Sequence, residues 1–294
     1  MGRALVLGGG GPVGIAWESG LIAGLAQAGL DLGQADLIMG TSAGSFVGAR
    51  LALGAEAAKL ADPILAEAAA PPKAPDARPA PERPAPNLGP LIKMMGEAQG
   101  GARNPQDVRA EIGAFALGAD TADEAAYIQT FGRSFASLPD DAWPERDYAC
   151  TAVDVETGAF QLWTRASGVG ITRAVASSCA VPGVYPPVTL KGRRYMDGGM
   201  RSATNADLAV GHELVIVVQV RIAAMSGAAY AQRFQDEIDV LTGRGAQVVV
   251  MAPDEASQAA MGVNLMDFRK RADAARAGLA QGQADAADLM AMWG

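Results

Sequence analysis

The sequence predicts an α/β fold with a mostly parallel central sheet, and three observations carry that prediction. Residues 3–53 read strand, turn, helix, strand, turn, helix, the order that places parallel strands side by side. Both turns in that stretch are rich in glycine, at Gly8 to Gly14 and at Gly40 to Gly44. Further along, residues 214–220 and 246–251 form two apolar runs of strand length with a helical segment between them.

Each element follows from its residues. Residues 3–7 (RALVL) are an apolar run too short for a helix, and they stop at Gly8-Gly9-Gly10-Gly11-Pro12-Val13-Gly14. A helical pattern then continues to about residue 27. Residues 36–39 (DLIM) read as a second strand that ends at the turn around Ser42, and small and apolar residues continue as helix to about 53. Residues 71–90 hold eight prolines among alanines and charges. Proline lacks an N–H for helix or ladder bonds, so this stretch reads as a semi-rigid or disordered excursion. The cluster Leu91-Ile92-Lys93-Met94-Met95 beyond it suits two readings: the apolar tip of a mobile cap or lid, or a packed helix beginning at Leu88. Asn104-Pro105 is a helix cap with proline at the first position, and Thr121 with Glu124 has capping-box spacing, so two helices are expected there. Residues 148–155 and 160–164 read as strands and 171–179 as helix. A rigid loop, Ala180 to Pro187, leads to a hairpin around Lys191-Gly192. The tail from about 254 is helical. The whole reads as a single domain, 1–294, with an insertion at about 70–90.

Composition narrows the function classes. The formal charge is −8 and the pI about 4.8, which disfavours a dedicated nucleic-acid binder and tight adhesion to anionic membranes. The two cysteines, Cys150 and Cys179, have no metal-ligand spacing; they read as two buried thiols, with one disulfide as the alternative. No secretory signal and no apolar run of about 18 residues is visible, so a soluble, cytoplasmic protein is the default expectation. Oligomeric state is not legible.

The chemistry concentrates in a few places. Gly40-Thr41-Ser42-Ala43-Gly44 has the G-x-S-x-G pattern of a nucleophile elbow, and it lies between a strand and a helix as that turn requires. A serine hydroxyl needs a base to take its proton. The chain has one histidine, His212, and it precedes a strand, at the end of a sheet where chemistry rarely gathers. Asp197, in Asp197-Gly198-Gly199 at a strand end, is an alternative base, although Asp-Gly is also an ordinary hairpin signal. Asp154, in Val153-Asp154-Val155-Glu156-Thr157-Gly158, reads as a turn former or a support for the site. The amides of Gly9, Gly10 and Gly11 are free of side chains and can converge on a developing oxyanion, whereas Pro12 cannot donate. The same glycines formally match G-x-G-x-x-G, which keeps a dinucleotide-binding oxidoreductase open, with Asp31 or Asp36 as its ribose ligand.

The glycine run, GTSAG, SSCAVPGVYPPV and DGG, in that order, resemble the patatin-like phospholipases over roughly residues 3–220. The resemblance implies a three-layer α/β/α fold and a Ser–Asp dyad. On that pattern Ser42 matches the nucleophile, Asp197 the base, and Gly9, Gly10 and Gly11 the oxyanion loop. It implies a lipid or other ester as substrate, transient contact with a membrane surface, no nucleic acid, and no metal or organic cofactor. The sequence departs from the pattern at Val13, where the family usually carries Arg or Lys, and by one residue inserted before Gly20. A non-catalytic lipid-binding scaffold of the same fold and a transacylase are the neighbouring alternatives.

Overall fold

Eight strands form one mixed sheet in the computed structural model, which describes residues 2–70, 89–99, 103–135, 137–220 and 227–293. Residues 71–88 of the proline-rich stretch lie outside these. Strands β1 (Arg3–Leu7), β2 (Leu37–Gly40), β3 (Asp147–Asp154), β7 (Leu214–Val218) and β8 (Gln247–Met251) run parallel; β4 (Phe160–Trp163), β5 (Val188–Leu190) and β6 (Arg193–Asp197) complete the sheet with antiparallel pairings. Traced through hydrogen-bonded neighbours the strands connect as β5-β6-β3-β2-β1-β7-β8, with β4 also paired to β3.

Period-two alternation sorts β1 between two cores. Leu5 and Leu7 face the larger core, with Trp17 and Leu21 of helix α1 (Gly11–Gln27) and Val47 of α2 (Ala43–Ala52). Ala4 and Val6 face the other side, with Met39, Val215, Val217 and Leu241. Leu241 belongs to α8 (Ala228–Thr242), the helix on that face. The sheet is thus covered on both faces, which is what fully apolar strands such as β7 (LVIVV) require. Helix α10 (Arg271–Trp293) packs along α1 almost backbone to backbone. A Cβ on Gly20 would lie 2.1 Å from the Ala275 carbonyl oxygen, and one on Gly278 2.3 Å from that of Trp17.

The remaining helices are α3 (Asp62–Ala69), α4 (Gly89–Gln99), α5 (Pro105–Gly118), α6 (Glu124–Phe135), α7 (Ile171–Ser178) and α9 (Glu255–Met261). Asn104 caps α5 by accepting from the Gln106 amide at 2.9 Å. Helix α4 corrects the picture of Leu91, Ile92, Met94 and Met95 as one exposed apolar tip. Leu91 is buried and Met94 and Met95 pack against a small cluster with Val108, Ile112 and Met196, while Ile92 alone of the four is 64% exposed. The spacing i, i+3, i+4 puts those three on one helical face and Ile92 off it.

Candidate active site

One edge of β3 brings two turns together. Strand β2 occupies that edge as far as Gly40, opposite Cys150, and β6 takes it over with Asp197 opposite Ala152. β4 pairs with Cys150 through Val153, so it must use the other edge. β2 is parallel to β3 and β6 antiparallel, so their carboxyl ends meet head on, two residues apart along β3, about 7 Å. The chain leaving β2 carries Ser42; the last residue of β6 is Asp197.

Ser42 sits at φ 52°, ψ −116°, a conformation that L side chains rarely adopt, between β2 and α2. Only small neighbours let the chain turn so sharply. A Cβ on Gly40 would lie 2.4 Å from the Ser45 amide nitrogen, and one on Gly44 2.2 Å from the Leu7 carbonyl oxygen. The turn is pinned from below. Ser178 Oγ accepts from the Ser42 amide at 3.0 Å, while the Ser42 carbonyl accepts from Ser45 Oγ at 2.6 Å and Cys179 Sγ at 3.1 Å. Ser178 and Cys179 are the second and third residues of the SSCAVPG stretch; their contact with the elbow could not be read from sequence. Cys150 and Cys179 are both free and buried, and burial pushes the Cys150 thiol up to about 12.

Asp197 is 2% exposed. Burial raises its carboxyl from 3.8 to about 7, against the opposing pull of the Ser42 hydroxyl and the Gly199 amide. Gly199 N–H donates to Oδ1 at 2.7 Å and fixes the carboxyl plane. Oδ2 has no hydrogen-bond partner among the described residues, and the Ser42 hydroxyl is close enough to the carboxyl to pull its pKa down.

The glycine loop lies against the elbow: a Cβ on Gly9 would be 3.3 Å from Ser42 Cβ. Its donors are not all free, which corrects the expectation of three. Gly9 N–H is already given to the Ala203 carbonyl at 2.8 Å, just after Gly8 N–H is given to the Val218 carbonyl at 2.9 Å. Gly10 and Gly11 keep N–H groups that donate to no described partner, as does Ala43 at the start of α2. Val13 is buried in the larger core and directs no side chain to this loop.

The other candidates lie elsewhere. His212 is at the amino-terminal ends of β1 and β7, 3.5 Å from a Cβ position on Gly2, with Nδ1 3.0 Å from the Ala209 carbonyl. Asp31 caps a short helical turn through the Gly33 amide, and Asp36 accepts from the Arg3 amide ahead of β2. Neither aspartate is at the carboxyl end of β2, where a ribose ligand is needed. Asp154 closes its own turn. Burial acts against its charge, but Arg193 at 2.5 Å and the Thr157 amide and hydroxyl hold it down to about 2. Sequence reasoning missed Glu18 altogether. It is fully buried on α1, neither carboxyl oxygen has a partner among the described residues, and burial raises its pKa well above the usual range against the Gly8 amide.

Beside the elbow stands an aromatic wall. Phe46, four residues after Ser42, contacts Phe131 and Phe135 at ring distances of 6.0 and 5.8 Å, and Tyr127 joins Phe131 to Tyr185 at 5.3 and 4.8 Å.

The family model described as Patatin-like phospholipase matches residues 5–210. Among solved structures, VipD from Legionella pneumophila is similar at 14% identity and TM-score 0.47, covering 98% of this chain and 67% of that one. The type III effector protein ExoU is similar at 17% identity and TM-score 0.37, covering 96% of this chain and 53% of that one. Comparison with curated proteins gave no match.

Proposed function

The chain belongs to the patatin-like phospholipase family, and on that premise we propose that it is a serine acyl hydrolase that cleaves carboxylic esters of lipids through a Ser42–Asp197 dyad. Ser42 Oγ attacks the ester carbonyl, and its proton passes to Asp197 Oδ2, the carboxyl oxygen left without a partner. The tetrahedral oxyanion takes the N–H groups of Gly10 and Gly11. Collapse breaks the acyl–oxygen bond, and Asp197 returns the proton to the departing alcohol. Water then repeats the sequence on the acyl-enzyme, giving up its proton to Asp197 and releasing the carboxylic acid.

The observation that carries this reading is the head-on meeting of β2 and β6, with a buried carboxyl beside a buried serine held at a strained positive φ. A carboxyl at about 7 is a far better proton acceptor than one at 3.8 and is still ionised at mildly alkaline pH. The aromatic wall at Phe46, Phe131, Tyr127 and Tyr185 supports an apolar acyl group as substrate. No helix among the described residues is long and apolar enough to cross a membrane.

The test is covalent. A fluorophosphonate should label wild-type protein at Ser42, and turnover of a panel of phospholipids and simple esters should disappear in Ser42→Ala. Wild-type turnover in folded Ser42→Ala protein would dispose of the dyad. Folded wild-type protein that neither labels nor turns over any ester would favour the scaffold reading.

A further inference from the structure

A single buried side chain joins the two turns of the site. Asn205 is fully buried and begins a short helical turn, Ala206–Ala209. Its Nδ2 donates to Thr41 Oγ1 at 3.0 Å, to the Ser202 carbonyl at 2.7 Å and, at a longer 3.4 Å, to the Gly198 carbonyl. Thr41 is the residue before Ser42 and Gly198 the residue after Asp197. The amide therefore reaches both sides of the dyad at one atom.

Its orientation is determined by its partners. Oδ1 faces Arg201 Nη1 at 2.7 Å, which can only donate, while Nδ2 faces two carbonyls, which can only accept. Arg201 is itself held by Asp207 at 3.0 and 2.5 Å and lies over the Phe160 ring at 4.8 Å. On the other side, Thr41 Oγ1 also receives Thr151 Oγ1 at 2.9 Å, which ties the clamp to β3, the strand on which both turns are registered. Asn205 occupies φ 53°, ψ 34°, a region that asparagine tolerates better than most residues.

We propose that Asn205 is a positioning residue that locks the Ser42 turn to the Asp197 turn through Thr41 and Gly198. This rests on the dyad reading. The need for such a lock follows from the topology. β2 and β6 meet end to end on β3 and do not pair with each other, so backbone ladder bonds fix each to β3 but leave the gap between them to side chains. A misplacement of about 1 Å in such a constellation can cost about 10² in rate.

Two pairs of variants test it in the full chain. Asn205→Gly keeps the left-handed backbone and removes the amide. Asn205→Asp keeps size but turns an oxygen toward the Gly198 and Ser202 carbonyls. Thr41→Val removes the hydroxyl that Asn205 grips, and Thr41→Ser restores it. On a small soluble ester, Asn205→Gly, Asn205→Asp and Thr41→Val should each lower kcat about 10- to 100-fold with KM within about threefold, the loss of positioning showing in kcat. Fluorophosphonate labelling of Ser42 should slow in proportion, and Thr41→Ser should recover most of the loss. Wild-type kcat in folded Asn205→Gly or Thr41→Val protein overturns the clamp, as does a loss confined to KM or no recovery in Thr41→Ser. If Asn205→Gly does not fold, the Thr41 pair decides. Ser42→Ala run alongside separates the two ideas: turnover lost there but kept in Asn205→Gly refutes the clamp alone, whereas turnover kept in Ser42→Ala refutes the dyad and the clamp together.

Discussion

Replacing Asp197 with asparagine should slow the enzyme and stabilise the protein, and the second effect should depend on pH. The carboxyl ionises at 3.8 in the unfolded chain and at about 7 in the folded one, because burial disfavours its charge. The folded protein therefore binds this proton more tightly than the unfolded chain does. The group costs nothing below pH 4, and stability is lost as pH rises from about 4 to about 7. Integrating that linkage from pH 5 to pH 8 gives a loss of about 3 kcal/mol. Asparagine has no such titration. The stability difference between Asp197→Asn and wild type should therefore widen in the variant's favour by about 3 kcal/mol over that range. Urea unfolding at pH 5, 6, 7 and 8 measures it directly. Activity should move the other way. Wild-type kcat/KM should fall about tenfold per unit below pH 7 as Asp197 is protonated, and Asp197→Asn should lose at least about 10²-fold in kcat. A stability difference that stays constant from pH 5 to pH 8 would refute the argument, since Asp197 would then ionise alike in both states.

Glu18 invites the same experiment without the catalytic consequence. Its buried, unpartnered carboxyl has a raised pKa, so Glu18→Gln should gain on wild type as pH climbs past the ordinary carboxylate range, by up to about 1.4 kcal/mol per pH unit, read by calorimetry at pH 5.5 and 8.5. In the glycine loop, a Cβ on Gly10 would meet Val220 Cγ1 at 2.7 Å and Gly14 Cα at 2.8 Å, so Gly10→Ala must shift the loop. It should destabilise by about 1–3 kcal/mol and lower kcat about 10²-fold, checked by denaturation and steady-state kinetics. His212→Ala should change kcat by less than about threefold, far below a base-catalysis effect, because the imidazole lies at the opposite end of the sheet; the same kinetic assay decides.

Local chemistry made most of the elements legible. A four-residue apolar run such as LIMG, stopped by a glycine turn, has no room to be a helix, and Asn104-Pro105 caps a helix by itself. The Ser42 elbow was legible for the same reason: small residues on both sides of a serine between strand and helix suit a turn at positive φ. That Asp197 rather than His212 stands near Ser42 could be inferred from a resemblance in motif order, but no local signal contains it. Tertiary structure decided it. Two strands approach from opposite directions along one edge of β3, and the register of Gly40 against Cys150 and Asp197 against Ala152 sets how closely their ends meet. Burial at that meeting then sets the carboxyl's pKa, and sequence could not weigh burial against the Gly199 amide. Equally hidden was the fate of the Gly9 amide, which depends on where Ala203 lies, nearly two hundred residues away in the chain. Residues close in sequence fixed the turns and caps because those bonds close within a few residues. The distances, burial and shared donors that determine chemistry are properties of strands packed from distant parts of the chain, and only the folded sheet brings them together.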